Sequence, residues 1–327
     1  MPINLDKPQL WKADIVSSVD MYNRWFMAFA PKAFRQTRIL TAQHVKDALN
    51  RTSNLTNISP ALLIENPHVL SMLRMSTCPP IAQDRLVGLA SVSKNLVTSM
   101  EDAENSRIPP RMVPAERVRQ LKRIAKVIRT LADPDIFVWI DRTDAPSREE
   151  IERAATIVAD RLCGAVTDPI IRNAQERRQL AAIGTWLQKK GYKSLSAGHK
   201  MKFDTMTPGT FSFRMNVPVR SLDTLGQERS VNIPIDAVIM PHKASVKDLP
   251  LLLEAKSAGD FTNVNKRRKE EAQKMSQLRA TYGKGVRFGL FLCGYFDSGY
   301  LGYEAAEGID WVWEHRIEDL AHFGLVR

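Results

Sequence analysis

Between residues 211 and 293, four apolar runs and one charged helix succeed one another in an order that restricts the fold more than any other feature of the chain. Residues 211–219, 231–240, 249–255 and 286–293 are rich in Val, Ile, Leu and Phe and are separated by polar or proline-bearing turns, so they read as strands. Between the third and fourth lies a charged amphipathic stretch, 263–282, closed by Gly283, which reads as a helix. Upstream, helices are expected over 148–162 and 169–190, the second with proline at its start and Gly191 just past its end. The resulting order, α-β-β-β-α-β, predicts a mixed central sheet flanked by helices, an α/β (α+β) fold.

The first half has a different texture. Residues 17–34, 41–50, 82–104 and 114–131 carry apolar side chains at helical spacing, and proline-bearing segments such as Cys78-Pro79-Pro80 divide them. A turn-like segment, 141–147, follows, with Ser147 and Glu150 placed to form a capping box. We therefore expect a mainly helical region over 1–147 and a strand-bearing domain over 148–327.

Charge narrows the partners. Lys and Arg number 47 against 36 Asp and Glu, a formal +11, with a pI near 9.6. This is the footprint of a protein that meets polyanions, although alone it does not separate DNA, RNA and an anionic membrane. Cys78, Cys163 and Cys293 are odd in number, far apart and set in apolar surroundings, which reads as reduced packing thiols. The opening residues carry neither the basic nor the apolar region of a secretory signal, and no apolar run approaches a membrane span. The expectation is a protein of the reducing cytoplasm with no membrane partner. The six histidines lack metal-ligand spacing, so zinc is not expected.

Hydrolysis of a phosphodiester requires neutralised phosphate charge, a deprotonated water and a stabilised leaving oxygen, which a divalent ion held by carboxylates beside a lysine supplies. In the run Leu251-Leu252-Leu253-Glu254-Ala255-Lys256, strand geometry projects Glu254 and Lys256 from one face. One strand earlier, Asp236 is the single acid in an apolar run, where an unpartnered carboxylate is costly to bury. If the two strands pair, Asp236 and Glu254 converge and share a metal. A Glu-x-Lys triplet alone is weak evidence, since a solvated hairpin offers the same pair; its place after Pro234-Ile235-Asp236 and before a basic helix is what raises it. On the helix 169–190, Glu176 lies in line with Leu180, Ile183 and Leu187, so it either reaches the metal or pairs within the helix with Arg172 or neighbouring Lys and Arg residues.

Pro234-Ile235-Asp236 followed by Glu254-Ala255-Lys256, in an α-β-β-β-α-β order, resembles the PD-(D/E)xK nuclease superfamily. More closely, Asp160-Arg161-Leu162-Cys163-Gly164, the stretches 168–176 and 254–263, and Gly299-Tyr300-Leu301-Gly302-Tyr303 through Trp311 resemble the XamI family of type II restriction endonucleases, most strongly from about residue 145 onward. The resemblance implies Mg²⁺ bound by Asp236 and Glu254, a Lys256 that orients or activates the attacking water, and a supporting acid at Glu176. It also implies double-stranded DNA as substrate, a homodimer cutting a short palindrome such as GTCGAC, and a cognate DNA methyltransferase in the same system. A repair or junction-resolving nuclease on the same core is the alternative enzyme; a silent DNA-binding protein is the non-catalytic one, and it has no need of Asp236, Glu254 and Lys256 together.

Two basic segments are candidates for holding DNA. Lys266, Arg267, Arg268 and Lys269 follow the catalytic strand and are expected on phosphates, unless they form a solvated face where Glu270 and Glu271 pair with Arg267 and Lys274. The helix 114–131 has an almost wholly positive polar face that includes Arg119 and Arg123. Trp311, Trp313 and Phe323 read as core or subunit contact.

Overall fold

The computed structural model describes residues 2–195, 203–222, 227–245, 248–260 and 264–326, with the side chains of 204, 222 and 264–268 outside that description. Two compact units part within long helices: Ala30–Ile171 is one, and Met1–Phe29 with Arg172–Arg327 is the other. The expected boundary near 147 falls at the start of a helix, Arg148–Lys189, as the sequence placed it.

That helix, α7, and α1 (Pro8–Arg51) each replace two expected helices with one. Proline interrupts neither. A proline frees the carbonyl four residues earlier, and here those positions, Met27 for Pro31 and Ala165 for Pro169, are exposed to solvent, so no acceptor is buried unpaired. The start of α7 follows expectation: the Ser147 N–H donates to Glu150 Oε2 at 2.8 Å, and the Glu150 N–H donates to Ser147 Oγ at 3.2 Å.

In the unit Ala30–Ile171, α2 (Pro60–Glu65), α3 (Val69–Met75), α4 (Gln83–Ala90), α5 (Lys94–Met100) and α6 (Pro114–Leu131) gather around one apolar core that includes Leu63, Leu73, Leu96, Ile124 and Phe137. The expected single helix over 82–104 is two. Ser91 adopts a left-handed φ of 49°, the Arg123 guanidinium donates to its carbonyl at 3.0 Å, and the Ser93 N–H donates to Gln120 Oε1 at 2.8 Å, so the break is held by α6.

The other unit is built on a six-stranded sheet in the order β1 (Lys193–Ser194), β2 (Thr210–Leu222), β3 (Glu228–Met240), β4 (Leu251–Ala258), β5 (Arg287–Gly294) and β6 (Asp310–Trp313). The β2–β3 and β3–β4 pairs are antiparallel, and the rest are parallel. Leu251, Leu253, Phe291 and Val312 bury one sheet face against Leu180, Ile183 and Leu187 of α7. Val238, Leu252, Leu290 and Leu292 bury the other against Met275 and Leu278 of α8 (Val264–Tyr282). Strand periodicity thus delivers Leu251 and Leu253 to one layer, and Leu252 to the other.

The periodicity breaks at one point. In β2, Phe211 and Phe213 pack on the α7 side, but Met215, Val217 and Val219 pack on the α8 side; in β3, Ala237 and Ile239 face α7 while Ile233 and Ile235 face α8. Odd-numbered residues therefore exchange faces between 213 and 215 and between 235 and 237. Arg214, with φ at 54°, is the pivot, and the ladder pairs Phe213 with Ala237 and Met215 with Ile235 around it. Across from this pivot stands Asp236.

Residues 1–29 join this unit because Asp310 binds them: its carboxylate accepts from the N–H groups of Ile3, Asn4 and Leu5. Trp311 and Trp313 are fully buried, as expected of core. The short β6 and α9 (Ser298–Ala306), capped by Asp297, complete the unit. No helix of the described residues is long and apolar enough to cross a membrane. All three cysteines are free, with Cys163 and Cys293 buried and Cys78 exposed, the last against its expected packing role.

Candidate active site

The β3–β4 register, Ala237 with Leu253, Val238 with Leu252 and Ile239 with Leu251, runs out at Asp236 and Glu254. There the Ala255 N–H donates at 2.8 Å to Asp236 Oδ2, so a side-chain carboxylate takes the place of a ladder carbonyl. This bond turns the single acid of β3 onto β4. Burial and the neighbouring Glu254 carboxylate push the Asp236 pKa up to about 6, with Glu176 adding to the rise and the Ala255 N–H and Lys256 opposing it.

Glu254 is 3% exposed and meets two ammonium groups, Lys274 Nζ at 2.5 Å and Lys256 Nζ at 3.4 Å. Lys256 also pairs with Glu271 Oε1 at 3.0 Å. Desolvation works against the charge on Lys256, but Glu254 and Glu271 outweigh it and raise its pKa above the ordinary lysine range. Burial raises that of Glu271, against the pull of Lys256.

Glu271 and Lys274 correct the reading of α8 as a solvated face pairing Glu271 with basic neighbours of its own helix. Both turn toward the sheet, and the signal was in the sequence: Glu271, Met275 and Leu278 fall at i, i+4 and i+7, and all three are buried. Glu270 and Lys269 are exposed as expected, while the side chains of Lys266, Arg267 and Arg268 lie outside the described residues.

The structure brings Asp236, Glu254 and Lys256 together. It places Glu176 close enough for its charge to act on Asp236, yet its carboxylate is paired with Arg214, whose Nε–H donates to Oε1 at 2.9 Å and whose Nη2 lies 2.8 Å from the same oxygen. The i, i+4 pair with Arg172 is not what α7 forms. In the other unit Arg119 is exposed and paired with Glu116, and Arg123 is exposed beside Lys126 along α6.

Sequence reasoning missed Gln179, which is fully buried. Its amide donates to the carbonyls of Lys256 at 3.3 Å and Phe291 at 3.2 Å, and its oxygen accepts from Ser257 Oγ at 3.1 Å. Gln179 thus pins the strand that carries Lys256 to α7. We expect Gln179→Leu to lower stability by about 1–3 kcal/mol in chemical denaturation, because two carbonyls lose a buried donor.

Asp236 and Glu254 set two carboxylates side by side at the strand ends, a pair of oxygen donors of the kind a hard cation takes together with water and phosphate oxygens, with the Lys256 and Lys274 ammonium groups beside Glu254 in the structure. Among the described residues no group of three or more His, Cys, Asp or Glu side chains is arranged to cage a metal.

A mixed sheet with an acid pair and a lysine gathered at the ends of two of its strands, backed by helices on both sides, is consistent with a nuclease core. The comparisons make the assignment specific. The family model for the XamI restriction endonuclease matches residues 53–313. The type II restriction enzyme SalI of Streptomyces albus G is 53% identical over 322 residues, covering 98% of this chain and 99% of that enzyme. No solved structure matches significantly. The chain belongs to the XamI restriction endonuclease family and is a site-specific endodeoxyribonuclease.

Proposed function

We propose that the enzyme is a type II restriction endonuclease that cuts both strands of a short palindromic duplex, with GTCGAC as the first sequence to test, using Mg²⁺ held by Asp236 and Glu254. The observation that supports this most is the Ala255 N–H bond to Asp236, which draws the two carboxylates and Lys256 to one end of the β3–β4 pair. When bound, Mg²⁺ polarises the phosphate and lowers the pKa of the attacking water.

The chain's own residues do the rest. Asp236 and Glu254 supply oxygen ligands. Lys256, kept protonated by Glu254 and Glu271, orients the water and offsets phosphate charge instead of accepting a proton. Glu271 holds the Lys256 ammonium, Lys274 balances Glu254, and Glu176 is the supporting acid. Arg119, Arg123 and the run Lys266, Arg267, Arg268, Lys269 contribute phosphate contacts, and the helical region contributes recognition or dimerisation. A homodimer suits a two-fold symmetric site. A methyltransferase protects the host sequence in the bacterial cytoplasm where the enzyme works, with no stable complex between the two.

Digestion of a sequenced plasmid with and without Mg²⁺, followed by mapping of the ends, tests this. The expected result is Mg²⁺-dependent fragments whose ends all fall in one palindrome; ends scattered over many sequences, or cleavage that survives chelation, contradict it.

A further inference from the structure

We propose that Arg214 is a phosphate ligand for the duplex, held on Glu176 until DNA arrives. The inference rests on membership of the nuclease family and adds a substrate contact to it. Arg214 lies across the β2–β3 ladder from Asp236, at the point where both strands exchange faces. Its φ of 54° is one that side-chain-bearing residues rarely adopt, and a glycine would make the same turn without strain. Its side chain is 60% exposed, and that of Glu176, with which it pairs, is 35% exposed. An exposed pair of this kind contributes little to stability, so it does not account for a strained arginine in the middle of a strand.

Substrate binding does account for it. Arg214 donates its Nε–H to one carboxylate oxygen and holds Nη2 2.8 Å from the same oxygen, and the planar guanidinium fork matches a phosphodiester. Glu176 lies within electrostatic reach of Asp236, so the guanidinium stands at the margin of the carboxylate cluster that the scissile phosphate must approach. A polyanion entering there competes with one carboxylate for the fork. Arg214 then transfers from Glu176 to a phosphate, and the Glu176 carboxylate is released beside Asp236.

Fluorescence anisotropy with a GTCGAC duplex and a scrambled duplex, in Ca²⁺ to prevent cleavage and across a salt series, tests the proposal. Arg214→Gly is expected to bind both duplexes about 10-fold more weakly and to lose about one unit of salt slope, while melting no lower than the wild type. Arg214→Lys, which retains the charge, is expected to keep the slope. Glu176→Gln, which frees the guanidinium, is expected to bind at least as tightly as the wild type. Wild-type affinity and slope in Arg214→Gly would overturn the proposal, and so would a loss in Glu176→Gln equal to that in Arg214→Gly, because the pair would then be a strut. A wild-type protein that binds neither duplex would remove the nuclease reading itself and this contact with it.

Discussion

Lys256→Ala is expected to cut DNA about 10³-fold more slowly than the wild type, or slower still, with duplex affinity in Ca²⁺ within about threefold of the wild type. The separation follows from where the ammonium sits. It touches Glu254 and Glu271, both buried, and lies among the carboxylates at the strand ends, so it serves the reacting group more than the length of the duplex. One cation is lost out of a strongly basic surface, and the carboxylates remain. The same change leaves Glu271 without its buried partner, so a fall in melting temperature should accompany it. Lys256→Met, which keeps the aliphatic stem, should show the same kinetic loss, and single-turnover cleavage beside anisotropy reads both quantities. Wild-type cleavage by either variant would remove Lys256 from the chemistry.

Asp236→Asn is expected to abolish cleavage and yet stabilise the metal-free protein at neutral pH. The folded-state pKa of Asp236, about 6, lies above its ordinary value of 3.8 because burial and Glu254 oppose ionisation. The folded protein therefore binds more protons than the unfolded chain between those values. The favourable contribution of the protonated acid is fully present below about pH 4 and is lost as pH rises through 6. Above that, holding the ionised group costs about 2–3 kcal/mol. An asparagine keeps an oxygen to accept from Ala255 without the charge. Urea unfolding in EDTA should show little difference between variant and wild type at pH 4 and a widening advantage for the variant up to pH 7. Added Mg²⁺ should then stabilise the wild type and leave Asp236→Asn unchanged. A variant less stable than the wild type at pH 7 in EDTA would mean that Asp236 is not held against repulsion.

These residues were legible in the sequence because each broke a pattern: Asp236 interrupts an apolar strand, and Glu254 and Lys256 share a face of another. The four main strands were legible because β-branched and aromatic runs between turns leave few alternatives, and α8 because a long charged amphipathic stretch closes on a glycine. The continuity of α1 and α7 was not, because whether a proline ends a helix depends on the tertiary exposure of a carbonyl four residues away. Nor was the docking of residues 3–5 on Asp310, more than 300 positions distant, which decides the unit to which the amino-terminal segment belongs. The left-handed turn at Arg214 carries no local signature at all: an arginine flanked by Phe213 and Met215 reads as an ordinary strand residue. Glu271 was readable on its helical stripe, but its charge made the solvated reading simpler.

Anomalous scattering from crystals of the enzyme with duplex DNA and Mn²⁺ in place of Mg²⁺ tests the central claim most directly. The account predicts a manganese peak bonded to carboxylate oxygens of both Asp236 and Glu254, with Lys256 Nζ beside the scissile phosphate or its attacking water. A peak ligated elsewhere, or one that leaves either carboxylate without a bond to the ion, would contradict it.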